Sequence, residues 1–182
     1  AAKAAAIRGM NFAWQGQSCG STSRLLLHES IYDAFLVDVI ARVKAIRIGE
    51  PQLEGSQMGP MNSKAQYDKT LRYIDIGKAD GARLLAGGGK PVGEAFSRGY
   101  WVQPTVFSDV MPGMRIAQEE VFGPILSVMR WRDVDEAIDI CNGVEYGLTA
   151  SIWTRDINTA LTAAQRLQTG YIWINGVGAH YK

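Results

Sequence analysis

From Ile125 to Asn175 the chain alternates strand-like and helix-like patterns at lengths that few architectures accommodate. The spacing predicts strands at Ile125 to Trp131, Leu148 to Trp153 and Tyr171 to Asn175, with helices at Val134 to Cys141 and Ile157 to Leu167 between them. Strands joined through helices of this length imply right-handed crossovers, so the predicted class is α/β, a mostly parallel sheet with helices on both faces. The first half adds elements of the same kind. Arg24 to His28 reads as a strand, and apolar residues at intervals of three and four from Ile31 to Ile46 read as a helix with Ser30 as its N-cap. Gly49 and Pro51 break that helix. Ser63 to Lys78 is a second helix ending before Asp80-Gly81, and Arg83 to Ala86 a short strand closed by Gly87-Gly88-Gly89. The residues near Ser97 and Ser108 read as loop.

The 182 residues, 47% of them hydrophobic, suffice for one core, and with no internal repeat or long linker the expectation is a single domain over 1–182. Nineteen basic and eighteen acidic residues are spread along the chain for a net charge of +1, leaving no basic stripe for nucleic acid and no polybasic patch for a membrane surface. No apolar run approaches the roughly 20 residues of a membrane span, and Arg8 interrupts the alanine-rich start. Cys19 and Cys141 make no disulfide framework, so a reducing, cytoplasmic compartment is expected.

Cys19 is the leading chemical candidate. Cysteine is most often a buried structural residue, but Gly16 and Gly20 allow close backbone approach to a carbonyl, and Gln17, Ser18 and Ser21 are poor core neighbours. Cys141, in Ala137-Ile138-Asp139-Ile140-Cys141, lies on the apolar face of a helix and reads as core. Glu120, ahead of Val121-Phe122-Gly123-Pro124, can accept from ribose hydroxyls while the Phe122 ring packs on a nicotinamide; a solvated glutamate beside a core phenylalanine is the alternative. Gly87-Gly88-Gly89 is no phosphate loop, because Lys90-Pro91-Val92-Gly93 follows in place of a helix. His28 and His180 are too few for a metal cluster, and no residue completes a cysteine–histidine hydrolase site.

Two segments carry a resemblance. Phe12-Ala13-Trp14-Gln15-Gly16-Gln17-Ser18-Cys19 resembles the nucleophile segment of NAD(P)-dependent aldehyde dehydrogenases, and Gln118-Glu119-Glu120-Val121-Phe122-Gly123-Pro124 is similar to that family's cofactor-contacting segment. Gly59-Pro60, Gly99 to Val106, Tyr146 to Ala150 and Trp173-Ile174-Asn175 follow in the family's order. Ser21 is a mild departure, since the family usually has Ala, Gly, Cys or Asn there.

The resemblance implies the catalytic domain of an oxidoreductase that turns an aldehyde into a carboxylic acid. Cys19 would be the nucleophile, Glu120 and Phe122 cofactor contacts, Gln66 and Lys69 residues near the cofactor ribose unless they form only a solvated helix face, and Asn175 the residue that orients a catalytic Glu. It further implies NAD or NADP as cofactor, no metal, an aldehyde substrate and a homodimer or homotetramer for the intact enzyme. The family's upstream dinucleotide-binding domain, Glu-Leu-Gly-Gly stretch, oxyanion-binding Asn and C-terminal oligomerisation strand do not occur here. The chain alone is therefore expected to be inactive and to bind NAD weakly or not at all. A cysteine-dependent esterase or acyl transferase, or a non-catalytic fragment, stays open. Small residues at Ala13, Ser18 and Gly20, with His180, suggest room for a bulky or polar aldehyde, and Trp14 and Tyr181 keep betaine aldehyde among the options.

Overall fold

A computed structural model of the protein describes residues 1–178. Six helices and six strands follow in the order α1 (Ala2–Gly9), β1 (Arg24–His28), α2 (Tyr32–Lys44), α3 (Lys64–Ala79), β2 (Arg83–Ala86), β3 (Thr105–Ser108), α4 (Arg115–Gln118), β4 (Ile125–Trp131), α5 (Val134–Asn142), β5 (Thr149–Ile152), α6 (Ile157–Arg166) and β6 (Tyr171–Ile174). Where the sequence supplies a capping side chain, the helices start on it. Ser63 accepts from the Gln66 N–H at 3.2 Å, Asp133 from the Glu136 N–H at 2.9 Å, and Asp156 from the N–H groups of Asn158 and Thr159. α2 departs from the prediction. Its N-cap is Ile31, without a side-chain bond, because a 3-10 turn over Glu29–Ile31 precedes it and the Ser30 hydroxyl pairs with His28 Nδ1 at 2.7 Å.

The strands form a four-stranded sheet in the order β1-β4-β3-β2 and a separate pair, β5-β6. β1, β4 and β3 run parallel, β2 is antiparallel to β3, and β5 and β6 are parallel. Period-two alternation sends neighbouring residues to opposite faces, and both faces are covered. Val106, Leu126 and Val128 pack with Leu36, Val39 and Val43 of α2, whereas Phe107, Ile125 and Met129 pack with Tyr73 and Ile74 of α3 and Ile116 of α4. Helices thus cover both faces, as the α/β pattern predicts. Ser108 corrects the loop reading: it ends β3 fully buried, its hydroxyl donating to the Arg83 carbonyl at 3.4 Å. β3 itself sits in the centre of the sheet, where four consecutive buried residues erase the alternation by which strands are usually recognised. Gly87 closes β2 at φ +68°, and a side chain there would lie 2.3 Å from the Pro104 carbonyl oxygen, so this glycine permits close packing on the chain ahead of β3.

Candidate active site

Cys19 stands exposed in a turn between α1 and β1, where the Ser21 N–H donates to the Ser18 carbonyl at 3.0 Å. The chain reaches it through two left-handed residues, Asn11 and Gln15, on either side of a 3-10 turn at Phe12–Trp14. Phe12 is buried and anchors the turn, and Asn11 Nδ2 reaches both the Gly9 carbonyl and the Ser21 hydroxyl at 3.3 Å. No acceptor among the described residues takes the main-chain N–H of Cys19.

The Glu120–Gly123 segment comes against this turn. At φ +66° Gly16 lies so close to Gly123 that a Cβ on it would be 2.2 Å from the Gly123 oxygen, and a Cβ on Gly123 would be 2.5 Å from Thr70 Oγ1. Gly16 thus lets main chain meet main chain, while Gly123 leaves room for the Thr70 side chain. Cys19, Glu119 and Glu120 line one cavity of about 480 Å³, and Phe122 lines a smaller one of about 290 Å³ with Ala13, Trp14, Gln15, Gln17 and Asn62. Gln17 Oε1 accepts from the Asn62 N–H at 3.1 Å, while its buried Nε2 has no partner among the described residues.

Helix α3 grips the segment from the other side. Gln66 Nε2 donates to the carbonyls of Val121 and Phe122, each at 2.8 Å, and Lys69 Nζ donates to the Glu120 carbonyl at 2.8 Å. Phe122 is held at φ +55°, and Glu120 is exposed. Gln66 and Lys69 are therefore neither a solvated face nor idle, for each spends its polar end on the main chain that carries Glu120 and Phe122. Glu119 is tied down separately. Arg115 Nε and Nη2 donate to it at 2.6 and 2.9 Å and the Tyr73 hydroxyl at 2.5 Å, which lowers its carboxyl to about 2. Tyr73 and Arg115 belong to no sequence motif, and the i,i+4 spacing of Arg115 and Glu119 is the one local signal of their cluster.

Other predicted residues lie elsewhere. Asn175, exposed after β6 at φ +51°, uses its amide to bracket Thr154, accepting from its N–H at 3.1 Å and donating to its carbonyl at 2.9 Å, and it lines neither cavity. Cys141 is partly buried rather than core and lines the larger cavity; burial pushes its thiol above the ordinary range, partly offset by Arg24. Arg24, another residue without a sequence signal, donates to the carbonyls of Ile140 and Cys141 at 2.9 and 3.0 Å. Of the small residues expected around a roomy substrate site only Ala13 lines a cavity, Ser18 and Gly20 lining neither, and Gly20 is buried. His180 and Tyr181 lie outside the described residues. Among the described residues no helix is long and apolar enough to cross a membrane, and no group of three or more His, Cys, Asp or Glu could hold a metal.

An exposed cysteine in a glycine-rich turn, backed by a Glu-Val-Phe-Gly segment on a doubly covered α/β sheet, defines a class, and comparison with known proteins supplies its family. The aldehyde dehydrogenase family pattern matches residues 1–181, and the chain belongs to that family. It is similar to the hydroxyisobutyraldehyde dehydrogenase of Mycolicibacterium austroafricanum, 48% identical over 88% of this chain and 31% of that protein. It is similar also to the betaine aldehyde dehydrogenase of Mesorhizobium japonicum, 46% identical over 91% of this chain and 34% of that one. The crystal structure of a point mutant of betaine aldehyde dehydrogenase from Staphylococcus aureus, in complex with NAD+ and with a BME-modified cysteine, superposes with a TM-score of 0.95 at 36% identity, covering 99% of this chain and 36% of that chain. The chain thus spans about a third of the length of these relatives.

Proposed function

We propose that this chain carries the nucleophile and the nicotinamide-side contacts of an NAD(P)-dependent aldehyde dehydrogenase. The observation that carries the reading is the Gly16–Gly123 contact, which brings the segment leading to the exposed Cys19 against the end of the Glu120–Gly123 segment, with Cys19 and Glu120 lining one cavity. The donor set fits the ribose–nicotinamide end of the cofactor. The exposed Glu120 carboxylate can accept from ribose hydroxyls, Phe122 offers an aromatic surface in a small cavity, and Gln17 Nε2 has no partner among the described residues to compete for its protons.

In this reading the Cys19 thiolate attacks the aldehyde carbon, a C–S bond forms and the carbonyl oxygen takes the charge as an oxyanion. The Cys19 N–H, without an acceptor among the described residues, would donate to that oxygen. Bound NAD(P) supplies the hydride acceptor that makes this adduct a thioester. Water then cleaves the C–S bond, the acid leaves and Cys19 returns as thiolate; the base that takes the water's proton belongs, by the family resemblance, to a Glu-Leu-Gly-Gly stretch that this sequence does not contain. Gln66 and Lys69 act in this reading through the main chain they hold. Asn175 acts on the loop at Thr154, and a role in orienting the base would pass through that loop. The relatives' names span a cationic and a hydroxylated aldehyde, and Trp14, 43% exposed beside Phe122, offers a face for a trimethylammonium group. Two free thiols, one of them exposed, fit a reducing cytoplasm.

Limited labelling with iodoacetamide followed by peptide mapping tests the assignment on this chain. Cys19 should be modified well before Cys141, whose raised pKa and partial burial keep it protonated and shielded. A chimera in which this chain replaces the matching third of the Mycolicibacterium enzyme should oxidise aldehyde with NAD and lose that activity on Cys19→Ala. Prior labelling of Cys141, or a Cys19→Ala chimera that still turns over, would refute the proposal. Hydrolysis of 4-nitrophenyl acetate by a chimera inert to aldehydes would favour the esterase instead.

A further inference from the structure

From Gln17 to Ser21 the loop that carries Cys19 has little main-chain bonding to hold it. Within it the Ser21 N–H donates to the Ser18 carbonyl at 3.0 Å, and among the described residues no acceptor takes the N–H of Ser18, Cys19 or Gly20. Side chains therefore set its shape. Gln17 Oε1 accepts from the Asn62 N–H at 3.1 Å, Thr149 Oγ1 donates to the Gly20 carbonyl at 3.5 Å, and the Ser21 hydroxyl donates to the Gly16 carbonyl at 3.5 Å. The last of these closes the loop on itself, because it ties the residue at which the loop ends to the glycine from which it starts.

Asn11 secures that closure from outside the loop. Its Nδ2 donates to the Ser21 hydroxyl and to the Gly9 carbonyl, each at 3.3 Å, while its own carbonyl accepts from the N–H groups of Trp14 and Gly16, each at 2.9 Å. One residue thus bonds to both ends of the loop. The position suits asparagine, because φ is +54° there and the short amide tolerates the left-handed region while still reaching across the turn. Asn11 and Ser21 are both partly buried, which limits the water that competes for their bonds. Gly16 is also the residue packed on Gly123, so whatever fixes Ser21 to Gly16 fixes Cys19 against the Glu120–Gly123 segment. We propose that Asn11 and Ser21 are positioning residues for the nucleophile, a polar lock that holds Cys19 in register with the segment assigned to the nicotinamide end of the cofactor. The inference rests on the reading of Cys19 as nucleophile and adds two residues to it, one of them the serine that departs from the family resemblance.

A nitroxide attached to Cys19 in a Cys141→Ser background reads the lock on this chain. Ser21→Ala removes the hydroxyl, and Asn11→Gly removes the amide while keeping the left-handed turn. Each should shorten the label's rotational correlation time at least about twofold with an unchanged circular dichroism spectrum, whereas Ser21→Thr, which keeps the hydroxyl, should retain the parent value. In the Mycolicibacterium chimera, Ser21→Ala should lower kcat at least about fivefold and leave KM for NAD within about twofold, since the nucleophile is misplaced while the cofactor contacts remain. The double variant should lose no more than about twofold beyond the worse single one, because both substitutions remove the same tie. Should Ser21→Ala fail to fold, Asn11→Gly carries the same two readouts. Unchanged label motion, additive losses of turnover, or a raised KM for NAD with kcat intact overturns the proposal. A parent chimera without Cys19-dependent turnover refutes the nucleophile reading itself, a failure told apart from that of the lock because the label still reports on the loop.

Discussion

The four-stranded sheet and the β5-β6 pair are built from similar apolar sequences and end in opposite conditions. All four residues of β3 and the first five of β4 are buried, whereas no residue of β5 or β6 is. Tyr171, at 58% exposure, and Leu148, at 53%, would be ordinary core formers by composition. The difference lies in what each sheet has on its two faces and two edges. The larger sheet is covered by α2 on one side and α3 and α4 on the other, while among the described residues the pair has α6 against β5 and no strand on the outer edge of either member. Apolar strands become a core only when other elements cover them.

Truncation should expose this contrast most strongly. Phe107→Ala, in the filled sheet, should cost about 3–5 kcal/mol, and Ile172→Ala, in the pair, under about 2 kcal/mol, both measured by urea denaturation. Equal costs would show the pair to be as well packed as the main sheet. Next in size comes the junction that carries the proposed site. Gly16→Ala must displace the Gly123 carbonyl and hold a left-handed alanine, at about 1–3 kcal/mol, and should slow Cys19 alkylation or scatter its rate by moving the turn.

A smaller effect is expected of Gln66→Ala, which releases the Val121 and Phe122 carbonyls at about 1–2 kcal/mol. Gln66→Glu sharpens the result, since a carboxylate cannot donate to those carbonyls and should not restore the wild-type midpoint, as a merely space-filling role would allow. The smallest effect belongs to pH. Glu119 is held at about 2 against 4.5 for an ordinary glutamate, by Arg115 first and Tyr73 second. A depressed carboxyl stabilises the fold fully above its unfolded value, and that contribution is lost as pH falls from about 4.5 towards 2. Thermal midpoints across that window should fall less in Glu119→Gln than in the wild type; parallel curves would mean that the Arg115–Tyr73–Glu119 cluster is not formed in solution.

Much of this fold is legible in the order of its residues. β1, β2 and β4 fall on the predicted residues, because each is a short apolar run bounded by polar or glycine punctuation, and α3, α5 and α6 start beside Ser63, Asp133 and Asp156, whose side chains cap them. Periodicity reveals α2 but not its start: Ser30 is a sound cap by type, yet His28 claims its hydroxyl. β3 escapes a reading by pattern because a strand buried on both faces has no alternation to show, and α1 escapes it because an alanine-rich segment has little contrast between its faces.

The α/β class and most of the elements from β1 to β6 follow from residue types and spacing, since periodicity and caps are local properties of the chain, whereas the two candidate segments around Cys19 and Glu120 stand out through their resemblance to a family's motifs. Tertiary structure decided the rest. It brought Gly16 onto Gly123 across more than a hundred residues of sequence, set Gln66 and Lys69 to hold three consecutive carbonyls, and opened one edge each of β1 and β5 onto a common gap. Those are relations between segments, and which main-chain carbonyl meets which amide or which strand lacks a neighbour is set by packing across the whole sheet.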